Sequence, residues 1–246
     1  MAKPSAVVFG VGVQKGLGAA SARRFAAEGY HVHVVGRSQD KLDALTQAII
    51  QAGGSADGFA VDVTDEAQVA ELFQKLYTPG LDVETPELVV YNAGSNQKIP
   101  FQELTARQFE DFWRVGCLGG FLVGQRAAAE LAKLGHGTII FTGASASLRG
   151  RPAFVHFAAA KAGLRMLSQA MAREYGPQDV HVAHVIIDGG IDGEILKQRF
   201  PDALKNAKED GFLSIEAIAD TYWSLHKQHR SAWTQELDLR PYSESF

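Results

Sequence analysis

The sequence contains a single cysteine, Cys117, so no disulfide can form within one chain. Its apolar helical surroundings favour a small buried hydrophobe over a nucleophile. Low cysteine usage is typical of reducing compartments, and we expect a cytoplasmic protein.

No apolar run approaches the ~18 residues that cross a bilayer, and the first ten residues lack the charged-then-apolar pattern of a signal peptide. We therefore expect no membrane partner.

Positive charge is also scarce. The net charge is −4, with 24 Lys and Arg against 28 Asp and Glu, and the basic residues are scattered. Nucleic-acid binding depends on concentrated phosphate neutralisation, so we expect no nucleic-acid partner. A length of 246 residues and 46% apolar content suit one soluble domain with a large core, which we expect to span residues 1–246.

Short apolar runs alternate with amphipathic helical stretches along the whole chain. The strand-like runs are SAVVFG, YHVHVVG, GFAVDV, ELVVYN, GTIIFTG, VHVAHVII and WTQELDLR. The helical stretches include a long one from Thr105 to about Leu134 and another from about Phe154 to Tyr175. This alternation predicts an α/β fold, a doubly wound parallel sheet with helices on both faces. The least regular stretch, Gly189 to Gly211, is interpreted either as a mobile substrate lid or as a short helical insertion without function.

A glycine-rich loop, G-V-G-V-Q-K-G-L-G, joins the first strand to the first helix. Gly10, Gly12 and Gly16 let the backbone turn sharply and approach a pyrophosphate. Leu17 and Gly18 begin the helix, whose exposed N-terminus attracts the anion. Placed between a strand and a helix at the start of an alternating β/α chain, this loop predicts a dinucleotide site.

The residues after the second strand indicate which dinucleotide is bound. An NAD site needs a carboxylate there for the ribose 2′-hydroxyl, but this chain has Gly36-Arg37-Ser38. The Arg37 guanidinium suits a 2′-phosphate, and Lys15 in the glycine loop adds a second cation. The predicted cofactor is therefore NADP(H).

Metal chemistry is not expected. His31 and His33 share one strand face, and His181 and His184 lie on the sixth strand, but no cysteine or carboxylate stands at metal-site spacing along the chain. Histidines in a core or at a sheet edge explain both pairs.

Three motifs in order make the sequence similar to the short-chain dehydrogenase/reductase family. They are Gly12-x-x-x-Gly16-x-Gly18, the run from Asn92 through Ala93 to Gly94 after the fourth strand, and Lys161 on the fifth helix. The resemblance covers essentially the whole chain. It implies a single Rossmann-type domain with a seven-stranded parallel sheet, hydride-transfer chemistry on a small-molecule substrate, and a homodimer or homotetramer.

The resemblance also implies roles for individual residues. Asp62 and Val63 would lie near the adenine, and Lys161 would hydrogen-bond the nicotinamide ribose. Asn92, Ala93 and Gly94 would line the cofactor. Asp188-Gly189 stands at the family's Pro-Gly position, and Ile191, two residues later, would lie near the nicotinamide amide.

The chain departs from the family where the chemistry occurs. The family's catalytic tyrosine falls on Phe157 and its serine on Ala144. Its asparagine on the fourth helix falls on Gly116, and the threonine after the Pro-Gly turn falls on Gly193. A related enoyl-reductase arrangement would place the tyrosine at position 154, which is also phenylalanine. Neither register supplies a phenol.

Three neighbouring side chains are candidates to replace the missing groups. Ser145 and Ser147 follow the vacant serine position, although loop serines commonly bond nearby backbone groups. His156 precedes Phe157 but points about 100° away on a helix, which favours a surface or interface position.

The sequence thus predicts an NADP(H)-dependent oxidoreductase acting on an unknown carbonyl or alcohol with non-standard proton transfer, its catalytic positions being Lys161, Phe157, Ala144 and Ser145. The alternative is a catalytically silent NADPH-binding sensor or scaffold. A third possibility is a non-redox dehydration or isomerisation that uses the nucleotide structurally.

Overall fold

The computed structural model describes residues 2–78, 83–199, 202 and 208–244. The strands are β1 (Lys3–Phe9), β2 (His31–Gly36), β3 (Ser55–Ala60), β4 (Val83–Tyr91), β5 (Gly137–Thr142), β6 (Val180–Ile187), β7 (Ile191–Asp192), β8 (Leu213–Ser214) and β9 (Glu236–Leu239). The helices are α1 (Leu17–Ala27), α2 (Gln39–Gln51), α3 (Glu66–Leu76), α4 (Ala106–Trp113), α5 (Gly119–Leu134), α6 (Val155–Tyr175), α7 (Glu194–Arg199) and α8 (Ile215–His226).

Seven of the strands form one sheet in the order β3-β2-β1-β4-β5-β6-β9, and every neighbouring pair is parallel. Helices cover both faces, so the prediction of a Rossmann-type doubly wound sheet is confirmed. The strand order reverses between β1 and β4, where open α/β sheets bind their ligands.

Side chains alternate between the two faces of each strand and feed two separate cores. Val8 on β1 belongs to the core shared with α1, α2 and α8. Phe9 belongs to the opposite core, shared with α3, α5 and α6. Burial on both faces explains why the strands are continuous apolar runs.

The predicted long helix from Thr105 to Leu134 is interrupted. A capping box of Thr105 and Gln108 begins α4, and a π-helical turn at Arg114–Leu118 separates α4 from α5. Gly116 lies in this turn, where a Cβ would approach the Cβ of Ala160 on α6 to 2.7 Å. The close approach of α6 accounts for the glycine.

The stretch from Gly189 to Gly211 contains a short helix, as one of its two interpretations expects, and a small strand that the sequence did not predict. β7 and β8 pair in parallel through Ile191 with Leu213, and α7 lies between them along the chain. Residues 200, 201 and 203–207 lie outside the described residues. Among the described residues, no helix combines the length and apolar character needed to span a membrane.

Candidate active site

The glycine-rich loop lies at the carboxyl edge of the sheet, where β1 and β4 are neighbours. Gly10 has a φ of +84°, and a Cβ there would overlap the backbone of Ala93. The Asn92 side-chain amide donates to the Gly10 carbonyl oxygen at 3.2 Å. A Cβ on Gly18 would lie 2.9 Å from that same oxygen, so both glycines are needed for α1 to start close against the strands.

The rest of the loop leaves room for a ligand. Gly12 is exposed, and nothing lies within 4 Å of the position that a Cβ would take there. The Lys15 carbonyl oxygen accepts from the Glu194 amide at 2.9 Å, which ties the loop to the start of α7. A Cβ on Gly193, the vacant threonine position, would lie 2.9 Å from the same oxygen. Gly16 precedes α1 with extended backbone angles, and Leu17 is buried.

Two exposed cations are available at this edge. Arg37 follows β2 and Lys15 lies in the loop, and within the described part of the chain neither side chain takes part in a hydrogen bond or ion pair. Asp62 and Val63 follow β3. Asp62 is exposed and accepts from the Thr64 amide at 2.9 Å and from its hydroxyl at 2.8 Å, whereas Val63 is buried.

Lys161 projects from α6 toward the end of β5. Its Nζ donates to the Thr142 carbonyl oxygen at 2.6 Å, which is the ammonium's one hydrogen bond among the described residues. Burial lowers the pKa of Lys161 to about 8. The Phe157 ring centroid lies 5.9 Å from Nζ, and Nζ is 3.5 Å from where a Cβ of Gly94 would stand. The structure thus brings Lys161, Phe157 and Gly94 together.

The loop after β5 holds the vacant serine position. Ala144 is buried, and its amide donates to the Ser147 hydroxyl at 3.2 Å. Ser147 is buried as well. Ser145 is partly exposed, and its hydroxyl makes no hydrogen bond within the described residues. Of the two serines considered from the sequence, Ser145 is therefore the one whose hydroxyl has no partner among the described residues.

A buried network that the sequence did not predict supports this loop. His184 on β6 lies 3.4 Å from the Ser147 hydroxyl through Nε2 and 3.0 Å from Glu236 through Nδ1. Arg165 on α6 donates two hydrogen bonds of 2.7 Å to Glu236. Burial lowers the pKa of His184 to about 4 despite the carboxylate, so the imidazole is neutral at pH 7. Three distant segments build the network, and no local pattern signals it.

A second ion pair crosses the end of β6. Asp188 stands at the family's proline position and is buried, and the Arg149 guanidinium donates to its two carboxylate oxygens at 2.9 and 3.1 Å. Arg240 lies 3.5 Å from the same carboxylate. The pair joins the loop after β5 to the turn that leads to Ile191, which is partly buried in β7.

The described tyrosines do not replace the missing phenol. Tyr91 donates to the Val115 carbonyl oxygen at 2.5 Å. The Tyr222 hydroxyl lies 2.7 Å from the Thr142 hydroxyl. Tyr222 belongs to the core on the face of the sheet opposite to Lys161. Burial raises the pKa of both phenols. Among the described residues, no hydroxyl forms a hydrogen bond with Lys161.

The expected surface position of His156 is wrong. The residue is fully buried, its ring packs 4.3 Å from that of Phe112, and Nε2 lies 3.1 Å from the Gln97 carbonyl oxygen. The helical offset from Phe157 correctly turns His156 away from Lys161, but α4 covers that face. Burial lowers the pKa of His156, so it acts as a packed neutral side chain.

Comparison with known proteins identifies the family. A model of the short chain dehydrogenase family matches residues 6–203. The chain belongs to this family. A short-chain dehydrogenase from Rhodopseudomonas palustris is 35% identical, with 97% of this chain and 99% of that chain covered and a TM-score of 0.80.

Two further members of the family have more specific names. The 3-oxoacyl-acyl-carrier-protein reductase MabA of Mycobacterium avium is 31% identical over 77% of this chain and 69% of that protein. An alcohol dehydrogenase from the archaeon Thermococcus sibiricus, complexed with 5-hydroxy-NADP, is 25% identical, with 99% of this chain and 98% of that chain covered and a TM-score of 0.82.

Proposed function

We propose that this short-chain dehydrogenase is an NADP(H)-dependent oxidoreductase that interconverts a carbonyl and an alcohol, and that Lys161 itself is its proton donor. The observation that carries the proposal is a buried ammonium, with its pKa lowered to about 8, beside a phenylalanine ring where the family has a phenol. A group that titrates near neutral pH is suited to general acid and base catalysis.

The residues at the carboxyl edge fit a dinucleotide. Gly10 and Gly18 bring the backbone close to the N-terminus of α1, and open space at Gly12 admits a pyrophosphate. The Arg37 guanidinium, which has no partner among the described residues, would hold the 2′-phosphate that distinguishes NADP from NAD. The 5-hydroxy-NADP complex of the Thermococcus relative supports this choice. The chemistry that NADPH supplies when bound is hydride donation.

Reduction of a carbonyl also requires a proton at the oxygen. Since Lys161 is mostly protonated at pH 7, its Nζ can donate that proton directly or through one water. Thr142 fixes the ammonium from behind by accepting its hydrogen bond at 2.6 Å, and the Phe157 ring limits the access of water. Ser145, whose hydroxyl is available, would orient the substrate oxygen.

The alternative function is a silent NADPH-binding sensor or scaffold. It is favoured by the loss of the tyrosine, serine and asparagine at Phe157, Ala144 and Gly116. A positioned acid is worth roughly 10²–10⁴ in rate and an oxyanion donor roughly 10²–10³. The two functions predict the same cofactor binding and different turnover.

A titration followed by an assay separates them. NADPH should bind more tightly than NADH, and the bound nucleotide should be oxidised by at least one member of a broad aldehyde and ketone panel. Lys161→Ala should abolish this turnover. Tight NADPH binding without turnover on the whole panel would favour the silent protein, and failure to bind either nucleotide would refute both functions.

We also propose that copies of the chain associate as a homodimer or homotetramer. Phe109 and Trp113 on α4 and Phe121 on α5 are large apolar side chains that are each about 40% exposed. Exposed aromatics on adjacent helices are typical of an interface between subunits. Light scattering coupled to size exclusion should give a mass above 26.6 kDa, and a monomer would contradict the proposal.

A further inference from the structure

Two histidines and a carboxylate converge at the amino end of the sheet, far from the candidate active site. In the register of β2 and β3, His33 stands opposite Asp57, and His31 stands opposite Ser55. Because side chains two residues apart on a strand share a face, all four project from the same side of the sheet. The sequence showed no carboxylate near the histidines because Asp57 comes from the neighbouring strand.

The donor atoms of this cluster are close enough to share one ion. His33 Nδ1 lies 2.6 Å and His31 Nε2 lies 3.5 Å from the same Asp57 oxygen, Oδ1. All three donor atoms lie within 4.8 Å of one another. Tetrahedral zinc, with bonds of about 2.0–2.2 Å to nitrogen and oxygen, needs donors about 3.3 Å apart. The separations of 2.6 and 3.5 Å from the Asp57 oxygen lie on either side of that spacing.

Surrounding groups orient the ligands. The Ser55 hydroxyl lies 2.7 Å from His31 Nδ1, so it can hold the imidazole with Nε2 directed at Asp57. Such outer hydrogen bonds fix ring orientation and tautomer in protein metal sites. The side chains of His31 and His33 are 12% and 9% exposed, whereas that of Asp57 is 44% exposed and leaves an entry path.

We propose that His31, His33 and Asp57 form a binding site for a borderline divalent cation, with zinc as the fitting ion. Two imidazoles and one carboxylate are a ligand set that zinc prefers and that magnesium and calcium do not. Water or an exogenous ligand completes the coordination at the exposed side. Because its ligands come from β2 and from the edge strand β3, the ion links the two strands and stabilises the folded protein. About 13 Å of strand separates His33, and about 20 Å separates His31, from Arg37, which keeps the ion apart from the hydride-transfer site.

The experiment uses the full chain after tag removal and chelator treatment. Isothermal titration with Zn²⁺ should show one ion bound per chain, and free zinc at 100 times Kd should raise Tm by about 5–10 °C. Co²⁺ in place of zinc should give the intense visible bands of a tetrahedral nitrogen and oxygen site, a readout that needs no variant.

Variants locate the ion. Asp57→Asn retains the size of a half-exposed side chain and should weaken zinc binding at least tenfold, and His33→Gln should abolish it. His136→Asn is the matched control, because His136 also pairs with a carboxylate, Glu87 at 3.2 Å, on the exposed surface. It should leave zinc affinity unchanged.

Three results would overturn the site. These are no stoichiometric zinc event in the wild type, zinc binding that is lost in His136→Asn, and binding that survives in Asp57→Asn. Should His33→Gln fail to fold, Asp57→Asn and the cobalt spectrum still decide the question. NADPH affinity should not change with zinc in any of these proteins.

Discussion

Restoring a phenol at position 157 tests whether the pocket has kept the geometry of its family. The Lys161 ammonium lies 5.9 Å from the centre of the Phe157 ring. A para hydroxyl stands about 3 Å out from the ring centre in the ring plane, whereas Nζ lies over the ring, so the phenol of Phe157→Tyr comes within a hydrogen-bond distance of about 3 Å when the ring turns its para edge toward Nζ. At an effective dielectric constant of about 20, a charge about 4 Å away is worth ~4 kcal/mol, or about 3 pKa units. The new tyrosine should therefore titrate near pH 7 instead of near 10.

The functional consequence should appear in the double variant Phe157→Tyr with Ala144→Ser, which supplies both the acid and the oxyanion donor. We expect the single-turnover rate of NADPH oxidation by a reactive ketone to rise about 10²–10³-fold, the worth of the oxyanion donor that Ala144→Ser adds, because the new phenol takes over a proton transfer that Lys161 already performs. The two changes act on one oxygen, so their effects should not be additive. The assay is stopped-flow NADPH absorbance, with NADPH affinity measured in parallel.

Phe121→Tyr is the matched control, since it adds the same hydroxyl to an exposed ring on α5. It should leave the rate unchanged. The reasoning is refuted if the double variant binds NADPH normally and gains no rate, because the pocket itself would then have changed. It is also refuted if Phe121→Tyr gains as much as the double variant.

Three further outcomes follow from individual contacts. In a fluorescence titration, Arg37→Ala should weaken NADPH binding about 10–150-fold, because a charged hydrogen bond is worth about 1.5–3 kcal/mol. The affinity for NADH should not change. Equal losses for both nucleotides would show that Arg37 does not contact the 2′-phosphate. Burial holds the pKa of His184 at about 4 in the folded state, against 6.5 in the unfolded state. The free energy of unfolding should therefore fall by up to about 3 kcal/mol as pH drops from 6.5 to 4. Urea denaturation of His184→Gln should show a stability that depends less on pH over this range. Gly116→Asn should cost about 1–3 kcal/mol of stability through overlap with Ala160, and Ala160→Gly should recover part of it in thermal unfolding; no loss would mean that the helices do not approach as described.

Local patterns predicted the parts of the site that one segment supplies. The glycine loop from Gly10 to Gly18 is a strand-to-helix signature, and Arg37 stands at a fixed distance beyond it. Lys161 lies one helical turn after Phe157, so their shared face followed from helical periodicity. Alternating apolar runs were enough for the parallel sheet, because short connections and burial on both faces leave few other arrangements.

Contacts between distant segments could not be predicted in the same way. Asp57 faces His33 only because of the register of β2 and β3, and a shift of one residue would have turned the carboxylate to the other side of the sheet. His184 meets Glu236 across a pair of strands that are 52 residues apart in sequence. The burial of His156 depends on where α4 packs, which no feature of α6 itself reveals.

The proposal that Lys161 is the proton donor is tested most directly by the pH dependence of the single-turnover rate of carbonyl reduction. Since the pKa of Lys161 is lowered to about 8 and the protonated form is the acid, the rate should be level below pH 8 and fall about tenfold per pH unit above it. Lys161→Arg retains a positive charge for the cofactor but cannot release a proton near neutral pH. That variant should bind NADPH, react at least 100-fold more slowly, and show no break near pH 8. A wild-type rate that does not change with pH, or an arginine variant as fast as the wild type, would contradict the proposal.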